Sequence, residues 1–486
     1  MLRGWGPHTL MVNTILNSKR RAGAWIRILR LTSILFAVAM VLAGSGCVQE
    51  SPKGTTSPSA NTNATSNAPA PAQPAPEKAA NPASKDEELT LPVLDAFFAQ
   101  ENFSGELKSK LQLTDEQVNQ LRSIARQETS KLRESSNDDQ YTGSAAAARQ
   151  QAIQKIRAAI GVQKASELVG FVNERWNSGA GATTTSSAAP SSTPQDTRIV
   201  INAPAFRMDI FEDGRLSKSY RIGIGYPEFP LPTGLRKADT IIFNPSWTPP
   251  DEPWVESGHS KVKVGEKVAP GDKLNPLGPI KIPIGLPSLI HGGKAPAKLG
   301  NFASHGCVGL TTAQILGFAE RLARLSGTQL SQEQIGEYVK HKTDTKPVKL
   351  SKPVQVELRY DTITIEDGKL HVYRDVYERG TNNEENLRAV LQSYGVNFDR
   401  LSDNVRADAL RALSAMSRNA GGKPVSETGS SSTRNKNASG NVTRLIKGAK
   451  EVVIDIPDLA GKGYPAAADL DTGVPPKTAS PRARRR

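Results

Sequence analysis

The chain has 486 residues, room for two to four domains at roughly 100 to 200 residues each, so a single small module is excluded. Its formal charge of +14 sits at the two ends: residues 1–30 hold six basic and no acidic residues, residues 401–486 hold fifteen and eight, and the stretch between is balanced at 41 and 40, which is no nucleic-acid signature. Two cysteines exclude a disulfide-rich scaffold and any multi-cysteine zinc or iron-sulfur centre.

Lys19, Arg20, Arg21, Arg27 and Arg30 precede an uncharged apolar run from Leu31 to Ala43, closed by Gly44, Ser45, Gly46 and Cys47. The order of charged, apolar and small residues is that of an export signal, and the run is short for a membrane span. Its end resembles the lipobox of bacterial lipoproteins, with Gly44 where that motif prefers Leu. The resemblance implies that Cys47 is lipidated and becomes the new N-terminus; an ordinary signal peptide or an anchor with an incidental Cys is the alternative. Residues 1–47 are therefore expected to be a signal segment. Residues 48–88, rich in Pro, Ala, Ser, Thr and Asn, are expected to be a disordered tether, since they carry too little apolar surface to offset chain entropy.

Over residues 89–178 the period is helical: Val118, Leu121, Ala125 and Leu132 fall near 3.6 spacing, as do Ile153, Ile156 and Ile160. Thr114 with Gln117 forms a capping-box pattern that predicts a helix start. The LTDEQ segment and the later GVQKASELVGFVNERW resemble the helical hairpins of periplasmic stress proteins with LTxxQ repeats. A small all-α domain acting as spacer or docking element, with an envelope protein as a candidate partner, is the expectation.

Residues 179–196 read as a second flexible linker. The period then changes to strands, Thr197 to Asn202, Arg207 to Phe211 and Leu216 to Ile224, with Asp213-Gly214 as a turn. Residues 197–400 are expected to form a mostly β domain, a sandwich or barrel with short helices. Residues 401–486 are expected to be a basic, largely disordered tail that opens with a short helical stretch from Val405 to Met416.

Chemistry concentrates in His291-Gly292-Gly293 and Ala303-Ser304-His305-Gly306-Cys307-Val308-Gly309-Leu310. A free thiol is a poor nucleophile until an imidazole takes its proton or steadies the thiolate. Gly306 before the thiol permits a tight turn that aims backbone N–H groups at a developing oxyanion. At these residues the chain resembles the YkuD-type L,D-transpeptidase catalytic domain, whose motif is a His-Gly, a spacer, then Ser-His-Gly-Cys. IVINAPAFRMDIFEDGRLSKSYRIGIGYPEFPLPTG, FNPSWTPP and LNPLGPIKI are similar to further segments of that family in the same order, and RYDTITIEDGKLHVYRDVYERG to the closing strands of its longer members.

That resemblance implies Cys307 as nucleophile and His291 as its base, with the Gly292 carbonyl orienting the imidazole. Ser304 and His305 would shape the donor site, and the N–H of Cys307 with a neighbour such as Gly306 would form the oxyanion hole. The implied reaction is cleavage before the terminal D-Ala of a peptidoglycan tetrapeptide stem through a Cys thioester. The acceptor is a second stem, a protein lysine or water, so an L,D-carboxypeptidase or a hydrolase detaching wall-linked protein is the runner-up. A non-catalytic wall-binding lipoprotein is the rival from another class. Gly309 departs from the family pattern, which places Arg or Asn there and would supply fixed hydrogen bonds to substrate.

No cofactor and no metal is expected: His291, His305 and Cys307 lack a convincing fourth zinc ligand. Trp247, Tyr226 and Phe229 read as core aromatics, and His259, His341 and His371 as solvated or structural. Lys294 and Lys298 belong to a loop between the two motifs that either meets substrate carboxylates or is simply solvated. Together these readings describe an exported, lipid-anchored enzyme of the periplasm or cell envelope, bound to the membrane through its anchor, with peptidoglycan stems as partners and no nucleic acid.

Overall fold

The computed structural model describes residues 89–100, 102–130, 133–134, 144–177, 192–249, 262, 266–285, 288–424, 441–442 and 445–474. The signal segment with Cys47, the tether, most of the second linker and His259 lie outside them. The chain divides into two compact units, 1–79 and 80–486, and all described residues belong to the second.

Five helices open the described chain: α1 Leu91–Phe98, α2 Phe103–Leu111, α3 Asp115–Thr129, α4 Ala145–Ile160 and α5 Val162–Asn177. The capping box at Thr114 and Gln117 starts α3, each side chain satisfying the other's backbone N–H. Leu94, Phe97, Phe103, Leu107, Leu121, Ile156 and Leu168 interlock in a core of their own. Burying each large side chain contributes about 2 kcal/mol. Thr90 caps α1 and also donates its hydroxyl to the Glu228 carbonyl at 2.7 Å. Arg149 donates to the carbonyls of Tyr377 and Glu378 at 2.7 and 2.6 Å, and Ser144 to the Glu378 carboxylate at 2.6 Å. The helical bundle thus docks on the chain's own β region.

An eight-stranded mixed sheet follows. Its members in chain order are β2 Arg198–Asn202, β3 Arg207–Glu212, β4 Arg215–Arg221, β6 Gly234–Phe243, β7 Ile280–Pro283, β8 Leu289–His291, β10 Val308–Gly309 and β11 Lys346–Arg359, in the spatial order β10-β8-β7-β6-β11-β2-β3-β4. Asp213 and Gly214, at φ of 48° and 77°, make the tight turn between β3 and β4 that the Asp-Gly pair predicts. A short parallel pair, β5 Ile224–Gly225 with β9 Phe302–Ser304, lies beside the sheet's β10 end. Helix α6, Thr312–Leu325, buries Ile315, Phe318, Ala319 and Leu322, a stripe at helical spacing, into the core of Ile199, Ile201, Phe243, Ile290 and Val308. Helix α7, Gln332–Lys340, adds Ile335.

Beyond Arg359 the chain leaves this sheet. β12 Ile363–Glu366 and β13 Lys369–Tyr373, expected as closing strands of the catalytic domain, instead form a separate three-stranded sheet with β15 Glu451–Asp455. Helices α8 Glu384–Ser393 and α9 Asp403–Met416 cover it, with Leu387, Leu391, Leu413, Ile365 and Ile456 in its core. The boundary at 400 therefore cuts through a packed unit. The tail expected to be largely disordered is folded at 401–424 and 445–474: the expected helix at Val405–Met416 lies within α9, and Ile454, Ile456, Leu459 and Tyr464 are buried on surfaces made elsewhere in the chain. β1 Arg133–Glu134 pairs in parallel with β14 Asn441–Val442, a further tie between the helical region and the tail.

Residues 468–471 run along β4: Ala468 and Asp471 accept from the N–H groups of Ser219 and Arg221 at 2.9 Å, and the Asp471 N–H returns a bond to Ser219. Tyr464 donates to the buried Asp209 carboxylate at 3.0 Å, which also takes bonds from Ser219 and Arg207. Arg207 reaches Glu366 at 2.6 Å, so one polar cluster joins main sheet, small sheet and tail.

Candidate active site

β8 and β10 are parallel neighbours, with Ile290 opposite Val308 and His291 opposite Gly309. Ile290 and Val308 are fully buried in the core. Side chains alternate along a strand, so His291, Leu289, Gly309 and, extending the register by one residue, Cys307 share the opposite face. Cys307 and His291 then stand on one face of adjacent strands two residues out of step, roughly 8 Å apart at Cα for strand spacings of about 4.8 Å and rises of about 3.3 Å. That is a distance two side chains leaning together can close.

His291 is buried, and its Nδ1 lies 2.8 Å from the Gly292 carbonyl. A carbonyl only accepts, so Nδ1 carries the proton and Nε2 is the basic nitrogen. Burial, reinforced by the Lys294 charge and only partly offset by the Gly292 and Leu277 backbone, pushes the imidazole down to about 3. Burial likewise pushes the Cys307 thiol up, against smaller pulls from the Leu289 backbone and Lys294. At neutral pH the resting pair is a neutral thiol and a neutral imidazole, with Cys307 still partly exposed.

Gly306, at φ 89°, makes the turn into Cys307 in a region where side-chain-bearing residues are strained. Ser304 clamps the turn: the Cys307 N–H donates to its Oγ at 2.9 Å, and its hydroxyl donates to the Cys307 carbonyl at 2.5 Å. In this resting arrangement the Cys307 N–H, expected to face an oxyanion, is engaged by a short-range hydroxyl that spacing alone does not reveal. The His305 ring is held edge-on by Tyr226 and Phe229 at 4.9 and 4.8 Å, so it packs behind the thiol turn. Tyr226 and Phe229 are core aromatics.

Sequence reasoning missed the support behind this turn. The Tyr377 hydroxyl donates to the Gly225 carbonyl at 3.0 Å and accepts from the Leu231 N–H at 3.2 Å, fixing the segment that carries Tyr226, Glu228 and Phe229. Glu228 is fully enclosed, and burial pushes it up to about 8. These partners lie about 150 residues apart, and no local pattern signals them. Among the described residues no group of three or more His, Cys, Asp or Glu side chains converges on a metal position, and no helix is long and apolar enough to cross a membrane.

The family profile of the L,D-transpeptidase catalytic domain, YkuD, matches residues 196–356, the span of the main sheet from β2 into β11. Similar solved structures include the catalytic domain of the Enterococcus faecium L,D-transpeptidase, at 15% identity and TM-score 0.22 over 35% of this chain and 100% of that one. A crystal structure of a Cys-to-Ser mutant of the Enterococcus faecium L,D-transpeptidase is 14% identical, with TM-score 0.20 over 34% of this chain and 50% of that one. An L,D-transpeptidase from Mycobacterium tuberculosis H37Rv is 16% identical, with TM-score 0.19 over 35% of this chain and 58% of that one. The chain thus spans about half the length of these longer structures. A search of curated proteins gave no match.

Proposed function

We propose that this chain is a cysteine-dependent L,D-transpeptidase of the bacterial cell envelope. The observation that supports the reading is the pairing of His291 with Gly309 in parallel strands, the second of which starts directly after Cys307, with Nδ1 of His291 committed to the Gly292 carbonyl. Nε2 takes the thiol proton as Cys307 attacks the carbonyl that precedes the terminal D-Ala of a tetrapeptide stem. The tetrahedral oxyanion is met by backbone N–H groups at the Gly306 turn, once Ser304 yields the Cys307 N–H. Collapse passes the proton from His291 to the departing D-Ala amine and leaves a thioester. An amine of a second stem attacks that thioester and regenerates the thiol. Export and anchoring through Cys47 would place the enzyme at its polymer.

Gly309 favours a second reading. Without an Arg or Asn there, the acceptor side has fewer fixed hydrogen bonds, and water as acceptor would make the enzyme an L,D-carboxypeptidase or a hydrolase that releases wall-linked protein. Incubation with a defined disaccharide-tetrapeptide, read by mass, separates these: dimers mean transfer, tripeptide alone means hydrolysis. Neither product from the native chain, or equal product from Cys307→Ala, would sink the enzyme reading. For the anchor, Cys47→Ser should release the protein from the membrane fraction; retention refutes lipidation there.

A further inference from the structure

Gly309 leaves a gap where its family counterpart carries a polar side chain, and that gap is filled. A Cβ placed on Gly309 would lie 2.8 Å from Cγ, 3.4 Å from Cδ and 3.1 Å from Cε of Lys294. The lysine's alkyl chain therefore runs directly over the Gly309 Cα, in the space a side chain at 309 would need. Its course is pinned at the base, because the Lys294 N–H donates to the Leu310 carbonyl at 3.0 Å and the Leu310 N–H donates to the His291 carbonyl at 2.9 Å. Gly309 stands opposite His291 and two residues from Cys307 on the same face, so Lys294 crosses the floor of the site. Lys294 is half-buried, which lets it meet a ligand that enters the cleft.

We propose that Lys294, laid across Gly309, is the specificity-determining cation that binds the free carboxylate of the residue leaving the acyl donor. The proposal rests on Cys307 being the nucleophile. Its chemistry follows from where charge resides. The ammonium disfavours protonated His291 and favours ionised Cys307, so for proton transfer between the two its effects largely cancel. A substrate carboxylate carries a full charge with no such cancellation. In a donor whose last residue departs, that carboxylate lies two bonds from the departing nitrogen, and a donor extended by another residue lacks it there. Lys294 thus selects a chain-terminal leaving group, and Gly309 is small because any side chain would displace the lysine.

The test needs no peptidoglycan. Cys307 in the full chain is alkylated with iodoacetate, which carries a carboxylate beside the reacting carbon, and with neutral iodoacetamide. The ratio of the two rates cancels changes in thiolate fraction. Lys294→Met should lower that ratio about fivefold, Lys294→Arg should keep most of it, and Lys298→Met should leave it unchanged. An unchanged ratio in Lys294→Met, or an equal fall in Lys298→Met, overturns the proposal while leaving the nucleophile reading intact. Failure of iodoacetamide to label Cys307 in the native chain overturns both. As a second measurement, the native enzyme should process a tetrapeptide acid in preference to its C-terminal amide, and Lys294→Met should lose that preference.

Discussion

The Thr90 hydroxyl donates to the Glu228 carbonyl at 2.7 Å across 138 residues of sequence, and Glu228 lies between Tyr226 and Phe229, the two rings that hold His305. The first described helix is thereby joined to the segment behind the thiol turn. Thr90→Val removes this bond and the α1 cap together. A loss of about 1 to 2 kcal/mol in denaturant unfolding is expected, with a fall in Cys307-dependent turnover larger than that of an exposed control such as Thr343→Val. Unchanged stability and turnover would show that the bundle is a passenger.

Glu228 is held protonated by burial, with Glu378 adding to the shift, and rises from an ordinary 4.5 to about 8. Between those values the folded chain keeps a proton that the unfolded chain has released. The group's contribution is therefore fully present below about 4.5 and is lost as pH rises toward about 8. Glu228→Gln should match the native melting temperature near pH 4 and exceed it at pH 8. A constant difference across that range would contradict the assignment.

Because the thiol is pushed above its ordinary value of 9.0 and His291 sits near 3, the resting pair is not an ion pair. Alkylation of Cys307 by iodoacetamide should climb with pH through 9 without a plateau between 6 and 8. A plateau in that interval would mean a stable thiolate-imidazolium pair.

Ser304→Ala leaves both the N–H and the carbonyl of Cys307 without their hydroxyl partner. Stability should fall by about 1 to 3 kcal/mol, and turnover by roughly 10- to 100-fold through misplacement of the thiol. KM should move little. A large KM effect with turnover retained would instead mean that Ser304 contacts substrate.

Cutting the chain after Pro424 removes Tyr464 from Asp209 and residues 468–471 from β4. Asp209 is raised by burial and relies on Arg207, Ser219 and Tyr464. The cut also takes β15 with Ile454, Ile456 and Leu459 out of the small sheet's core, so stability should fall by more than about 3 kcal/mol, seen as an earlier denaturant midpoint. A truncated chain as stable as the whole would contradict a structural role for the tail.

Short-range chemistry was legible in the sequence. The Thr114 capping box, the Asp213-Gly214 turn and the strands from 198 onward show in patterns of a few residues, and His291 and Cys307 each stand in a short motif of their own. The Ser304 clamp is not legible in the same way, because a hydroxyl three residues before a thiol can equally face a ligand or bond back to the turn. The tail escaped for a different reason. Tyr464, Ile454 and Asp471 sit among Gly, Pro and charged residues with no period of their own, and their partners, Asp209, Leu370 and Ser219, are 84 to 255 residues away. Composition describes what a segment can bury unaided, and these residues bury themselves on surfaces made elsewhere.

An open sheet ends in a row of unpaired N–H and carbonyl groups that invites another chain to add a strand. Here the β4 end is taken by residues 468–471, and the β10 end by Gly223, whose N–H and carbonyl both exchange bonds with Gly309 at 2.9 Å. The main sheet carries its own guard against edge-to-edge association at each side. On the β10 side Gly223 leads directly into β5, which pairs with β9 just ahead of Cys307, so the backbone that closes the sheet edge also braces the approach to the thiol turn.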